Sequence, residues 1–119
     1  IRDWIFVDDH CDAIMDVLLN GKSGESYNIS AGNEIDNITI IKKILTIIGK
    51  PLENIEFVED RPGHDFRYSM ESTKIRNNLG WSQNKKIEEG LKKTIEWYLE
   101  NKEWWMHLDQ KILDATPWK

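Results

Sequence analysis

Ile38, Ile41, Ile44, Leu45 and Ile48 fall at three- and four-residue steps, and Ile87, Leu91, Ile95, Tyr98 and Leu99 repeat that spacing near the other end of the chain. Each set forms one face of an amphipathic helix, and any fold of this chain has to bury both faces. The first of these helices has Asn37 as its cap and Gly49 as its stop. The second runs from about 86 to about 101, with Lys92, Lys93 and Glu96 outward. A third run, with Ala13, Ile14, Val17 and Leu18 at helical spacing, predicts a helix over 9–19 that starts at a capping Asp8-Asp9 pair and ends at Asn20-Gly21. Ser72 or Thr73 caps a brief helix carrying Ile75 and Leu79. Gly80 is its left-handed terminator, and Trp81 packs back on it.

Between these helices the chain reads as short strands. IRDWIFV predicts a strand over 2–7, ESYNIS another, and IEFVE and FRYSM two more, while AGNEIDN reads as a polar connection. The expected class is α/β, short strands with amphipathic helices. Ile1 is no natural initiator and opens on a strand already in progress, so a piece of a longer protein is expected. The stretch KEWWMHLDQKILDATPWK reads as a partly helical tail, with residues 107–119 of uncertain order.

Composition excludes several functions. A 119-residue chain is one domain's worth, and a formal charge of −5 leaves no footprint for a nucleic-acid backbone. Cys11 is the single cysteine, which rules out a disulfide framework or a Cys-based zinc site within the chain and fits a reducing, cytoplasmic setting. No apolar run approaches the roughly 18 residues of a membrane span, so no membrane partner is expected. There is no glycine-rich phosphate loop between a strand and a helix, no Gly-x-Ser-x-Gly elbow and no His-Glu-x-x-His pair, and hence no visible reaction centre. Asp8, Asp9 and His10 point to helix capping rather than to a metal, because adjacent side chains diverge at a helix start.

One stretch stands apart. In RPGHD, Pro62-Gly63 sets a sharp turn that holds Arg61 and His64 on a short, restricted loop. Arg offers a planar fork of donors suited to phosphate oxygens, and His adds a donor whose charge responds to a nearby anion. A diphosphate suits such a loop, although Arg61 bracing it against Glu59, Asp60 or Asp65 fits the composition equally well. Arg2 taken alone reads as a solvated surface cation, and Asn37 as a helix cap. Trp97, Trp104 and Trp105 lie among Glu96, Glu100 and Glu103, which favours core or interdomain packing over nucleic-acid stacking.

Read in order, RDWIFVDDH, ESYNIS, the Asn-x-x-x-Asn stretch from Asn33 to Asn37, EDRPGHDFRY, LGW and EWYLENKEWW make the chain resemble the C-terminal portion of the dTDP-glucose 4,6-dehydratases, members of the extended short-chain dehydrogenase/reductases. RPGHD followed by Arg67-Tyr68 is the most specific element. The resemblance covers residues 1 to about 106 and implies a nucleotide-sugar-binding portion without its Rossmann domain. It implies an enzyme that oxidises C4 of the hexose, removes water across C5 and C6 and returns the hydride to C6. NAD and the catalytic residues would belong to an N-terminal domain absent here, so this chain holds neither a cofactor nor a catalytic residue and is expected to be inactive alone. Matching motif to motif, Arg2, Asn37, Arg61 and His64 fall where such enzymes contact the nucleotide diphosphate and sugar, with Tyr68 as a neighbour. The expected partner is a dTDP-sugar, bound weakly or not at all by this chain. Apolar faces that the missing domain would cover are expected to favour self-association. Rival readings are another extended nucleotide-sugar epimerase or dehydratase, and a stand-alone binding module without chemistry.

Overall fold

The computed structural model describes residues 1–108. Two helical pairs make the body: α1 (Val7–Asn20) packs on α3 (Thr73–Leu79), and α2 (Asn37–Ile47) packs on α4 (Ile87–Glu100). A two-residue strand β1 (Arg2–Asp3) pairs antiparallel with β2 (Glu34–Ile35), Arg2 opposite Ile35 and Asp3 opposite Glu34. A 3-10 turn covers Leu52–Asn54, and α5 (Lys102–Met106) follows α4 directly.

The first pair closes around Ala13, Ile75 and Trp81, with Ile5, Val17, Tyr27, Ile29 and Leu79 against them. Trp81 packs back as expected, its Nε1 donating to the Asp9 carbonyl at 3.2 Å and the Arg76 guanidinium lying 5.5 Å from its ring centroid. Gly80 takes φ 72°, the left-handed conformation that lets the chain leave α3 and turn Trp81 inward. In the second pair Ile40 and Ile95 are buried; Ile95 lies on the face its spacing predicts, but Ile40 lies outside the predicted face of α2, and Ile41, Ile48, Tyr98 and Leu99 of the two predicted faces are exposed.

The first helix starts earlier than expected. Val7 is its first residue and Phe6 its N-cap position, so Asp8 and Asp9 lie inside the first turn and do not cap it. Asp9 is buried, and its carboxylate accepts from Asn84 N at 3.1 Å and Lys85 N at 3.0 Å. That carboxylate ties α1 to the segment leading into α4, a tertiary duty that a capping pattern does not reveal. Likewise the cap of α2 is Asp36, which accepts from Thr39 N at 2.8 Å; Asn37 is already the first helical residue. Ser72 occupies the N-cap position of α3 but makes no capping bond, its hydroxyl donating instead to the Ser30 carbonyl.

The strands fall short of expectation. Only Arg2–Asp3 of the 2–7 stretch is paired, its partner β2 lies in what reads as a polar connection, and ESYNIS, IEFVE and FRYSM form no strand. Their alternation is real, but a strand persists only where another offers it a hydrogen-bond ladder. Among the described residues the ladder extends by one step, a parallel bridge between Arg2 and Tyr68. The Trp-rich end is not core: Trp97 and Trp104, 5.2 Å apart edge to face, are both exposed. Most of the tail over 107–119 lies outside the described residues.

Candidate functional site

The short sheet sets the geometry of the site. Successive strand residues point to opposite faces, and Asp3 and Arg2 use both. Asp3 accepts from Gly32 N at 3.0 Å and Asn33 N at 2.9 Å, fixing the turn before β2, while Arg2 reaches the RPGHD loop. The loop's far end is held by Tyr68 N donating to the Ile1 carbonyl at 3.0 Å. Gly63 takes φ 69°, a conformation that side chains with a Cβ rarely adopt, and this lets the loop double back on β1.

Arg2 and His64, 62 residues apart in sequence, touch here: Arg2 Nη2 lies 2.7 Å from His64 Nε2. The same guanidinium donates to the Ile1 carbonyl at 2.7 Å and the Asp65 carbonyl at 3.0 Å. On its other side His64 Nδ1 lies 2.6 Å from Asp60 Oδ1, which also accepts from Arg61 N at 2.8 Å. Guanidinium has only donors, so Nε2 must present its lone pair and Nδ1 must carry the proton, making a directed chain Arg2 to His64 to Asp60. The His64 hydrogen bond, followed by the Arg61 backbone N–H and the Arg61 charge, holds the Asp60 carboxyl below its ordinary range.

Of the residues singled out in sequence, Arg2, His64 and Tyr68 therefore come together. Arg61 sits exposed on the same loop, and among the described residues its guanidinium makes no hydrogen bond or ion pair. Asp60 does brace the loop, through His64 and the Arg61 backbone rather than through the Arg61 side chain. Asn37 lines a mainly apolar cleft of about 480 Å³ between α2 and α4, with Trp4, Phe6 and Ile44 among its walls. Tyr68 is half exposed, placed by its backbone.

Two contributors escape a sequence reading. Asp60 appears there only as one of three possible partners for Arg61, although its spacing of four from His64 was available as a signal. Glu34 receives Arg67 Nε at 2.9 Å, Arg67 Nη2 at 2.7 Å and Ser69 Oγ at 2.7 Å, fastening the segment after the loop to β2. Those hydrogen bonds, Arg67 foremost, lower the Glu34 carboxyl below its usual range. No local pattern announces a contact across 33 residues. Among the described residues no cluster of His, Cys, Asp and Glu could hold a metal ion.

A family model described as GDP-mannose 4,6 dehydratase matches residues 1–94. The chain belongs to that family. Within this dehydratase family, the chain is similar to dTDP-glucose 4,6-dehydratase of Escherichia coli, 44% identical over 127 aligned positions that cover 98% of this chain and 34% of that protein. The crystal structure of dTDP-glucose 4,6-dehydratase from Bacillus anthracis in complex with NAD superposes with a TM-score of 0.84 at 43% identity, covering 90% of this chain and 34% of that one. The Streptomyces venezuelae dTDP-glucose 4,6-dehydratase DesIV, solved with NAD and TYD bound, gives 0.83 at 39% identity, covering 87% and 32%. The chain thus spans about a third of the length of the relatives it matches and corresponds to their C-terminal part. Its fold is that of the C-terminal portion of these short-chain dehydrogenase/reductase enzymes. No helix among the described residues is long and apolar enough to cross a membrane.

Proposed function

We propose that this chain is the nucleotide-sugar-binding part of a cytoplasmic dTDP-glucose 4,6-dehydratase, with Arg2 and Arg61 gripping the diphosphate, His64 serving the site by orienting Arg2, and Asn37 and Tyr68 contributing to the rest of the pocket. The observation that carries the proposal is the contact between Arg2 and His64, which seats a guanidinium from β1 against the loop that carries Arg61. Arg61, unpaired among the described residues, supplies a second guanidinium from the same loop. Two arginines on different segments can neutralise a diphosphate from two directions, and holding the nucleotide places the hexose for chemistry performed by other residues. The chain carries no glycine-rich strand-to-helix turn to hold NAD. The redox cofactor, the proton-transfer residues and every chemical step are therefore assigned to the part of such enzymes that this chain does not match.

Two expected results test this reading. The chain alone, mixed with NAD and dTDP-glucose, produces no 4-keto-6-deoxy sugar; product formation in a chromatographic assay would refute the division of labour. In a complete enzyme carrying this segment, Arg61→Ala weakens dTDP-glucose binding about tenfold, the loss of one charge-assisted contact, with an unchanged melting curve. Unaltered affinity in a well-folded variant would remove Arg61 from the grip. Running the same titration with UDP-glucose separates a dTDP enzyme from a UDP-sugar relative.

A further inference from the structure

We propose that Asp60 is a positioning residue for this site: its carboxylate fixes His64 in the Nδ1-protonated tautomer, which leaves Nε2 as the acceptor that holds the Arg2 guanidinium in place. The inference rests on the nucleotide-sugar reading only for its consequence, not for its geometry. Arg2 has five N–H donors. One Nη1 hydrogen goes to the Ile1 carbonyl, and the two on Nη2 go to His64 and the Asp65 carbonyl. Nε–H and the second Nη1 hydrogen have no acceptor among the described residues and remain for an anion. The direction of this fork is set in part by a ring nitrogen that accepts only while its proton sits on the far side.

Asp60 holds the proton there from the side opposite Arg2. Its Oδ1 lies 2.6 Å from Nδ1, and Arg61 N donates to the same oxygen at 2.8 Å, so the carboxylate is pinned by the backbone of the very loop it orients. Its carboxyl is also held below the ordinary range, which keeps it an ionised acceptor throughout neutral pH. Remove that acceptor and the imidazole is free to move its proton to Nε2, where it meets the Arg2 donors head on. Donor then faces donor, and the guanidinium loses its direction. Asp60 itself is largely exposed, so the loop can lose this side chain without opening a cavity.

Nitrogen-15 NMR of the histidine rings in this chain tests the proposal, since His10, His64 and His107 are the only histidines to assign. The wild-type His64 shows its lone-pair nitrogen at Nε2. Asp60→Ala moves that signal to Nδ1, and Asp60→Asn, whose amide oxygen still accepts from Nδ1–H, restores it. The amide of Tyr68, donating to the Ile1 carbonyl, stays protected from exchange in all three proteins and certifies that the loop is still seated. A His64 tautomer unchanged in Asp60→Ala would overturn the proposal. Isothermal titration with dTDP of a complete enzyme carrying this segment supplies the consequence: affinity falls about tenfold in Asp60→Ala and recovers in Asp60→Asn. Equal affinity in all three, with the tautomer switched, would deny Asp60 its positioning role. If the wild-type complete enzyme itself ignores dTDP while the tautomer switches as expected, the nucleotide reading fails and the Asp60 assignment stands.

Discussion

Trp81→Ala is expected to destabilise the chain by about 3–5 kcal/mol, the range for truncating a large buried aromatic. Its side chain is 4% exposed and fills the angle between α1 and α3 beside Ala13 and Ile75. Three separate interactions leave with it: packing against those residues, the hydrogen bond from Nε1 to the Asp9 carbonyl, and the face that Arg76 lies over. The second of these matters beyond its own strength. Asp9 carries the carboxylate that joins α1 to the entry of α4, so loosening its backbone weakens the link between the two helical pairs. Denaturant unfolding followed by far-ultraviolet circular dichroism measures the effect. A midpoint shift worth less than about 1 kcal/mol would show that this core repacks around the lost indole.

Arg2→Ala is expected to reduce nucleotide-sugar affinity about a hundredfold in a complete enzyme, the free energy of about two lost charge-assisted hydrogen bonds. The expected loss exceeds that for Arg61 because Arg2 does two things at once. It offers charge, and through the Ile1 and Asp65 carbonyls and His64 it also joins β1 to the loop that carries Arg61. Arg2→Lys preserves the charge but replaces a planar fork by a point donor, and recovers only part of the affinity. Isothermal titration with dTDP measures both variants. An Arg2→Ala enzyme that binds dTDP like wild type would take Arg2 out of the site and return it to the role of a surface cation.

The helices were legible in the sequence because each carries its own evidence. Ile87 to Leu99 spells α4 almost to its ends, and Gly80 announces both the end of α3 and the inward turn of Trp81. The strands were not legible, because IEFVE and FRYSM alternate correctly but a strand is a property of two segments, and the second segment is not found among the described residues. Errors at the helix starts have another cause. Asp8, Asp9 and Asn37 are all good capping residues, but Phe6 and Asp36 take the cap positions; packing of Asp9 against Asn84 and Lys85 places that end. In the candidate site, Arg61 and His64 could be picked out because a Pro-Gly turn restrains them locally. Their link to Arg2 is a tertiary fact that residue chemistry alone left open and family likeness suggested. Asn37 carried the same likeness, and it lines the cleft between α2 and α4.

The exposed indoles at the end of the chain bear on how binding here can be seen. Trp97 and Trp104 sit 5.2 Å apart, well within range for exchange of excitation, and Trp105 stands close by with its Nε1 donating to the Tyr98 carbonyl. Bulk emission is weighted toward that water-facing trio, and it reports solvent around α4 and α5 rather than events at the loop. Trp4 is different: it follows β1 directly, and its Nε1 donates to the Ile35 carbonyl at 3.0 Å across the short sheet. A fluorine label resolved at Trp4 would therefore hear the clamp, while the unresolved glow of the whole protein would mostly describe α4 and α5.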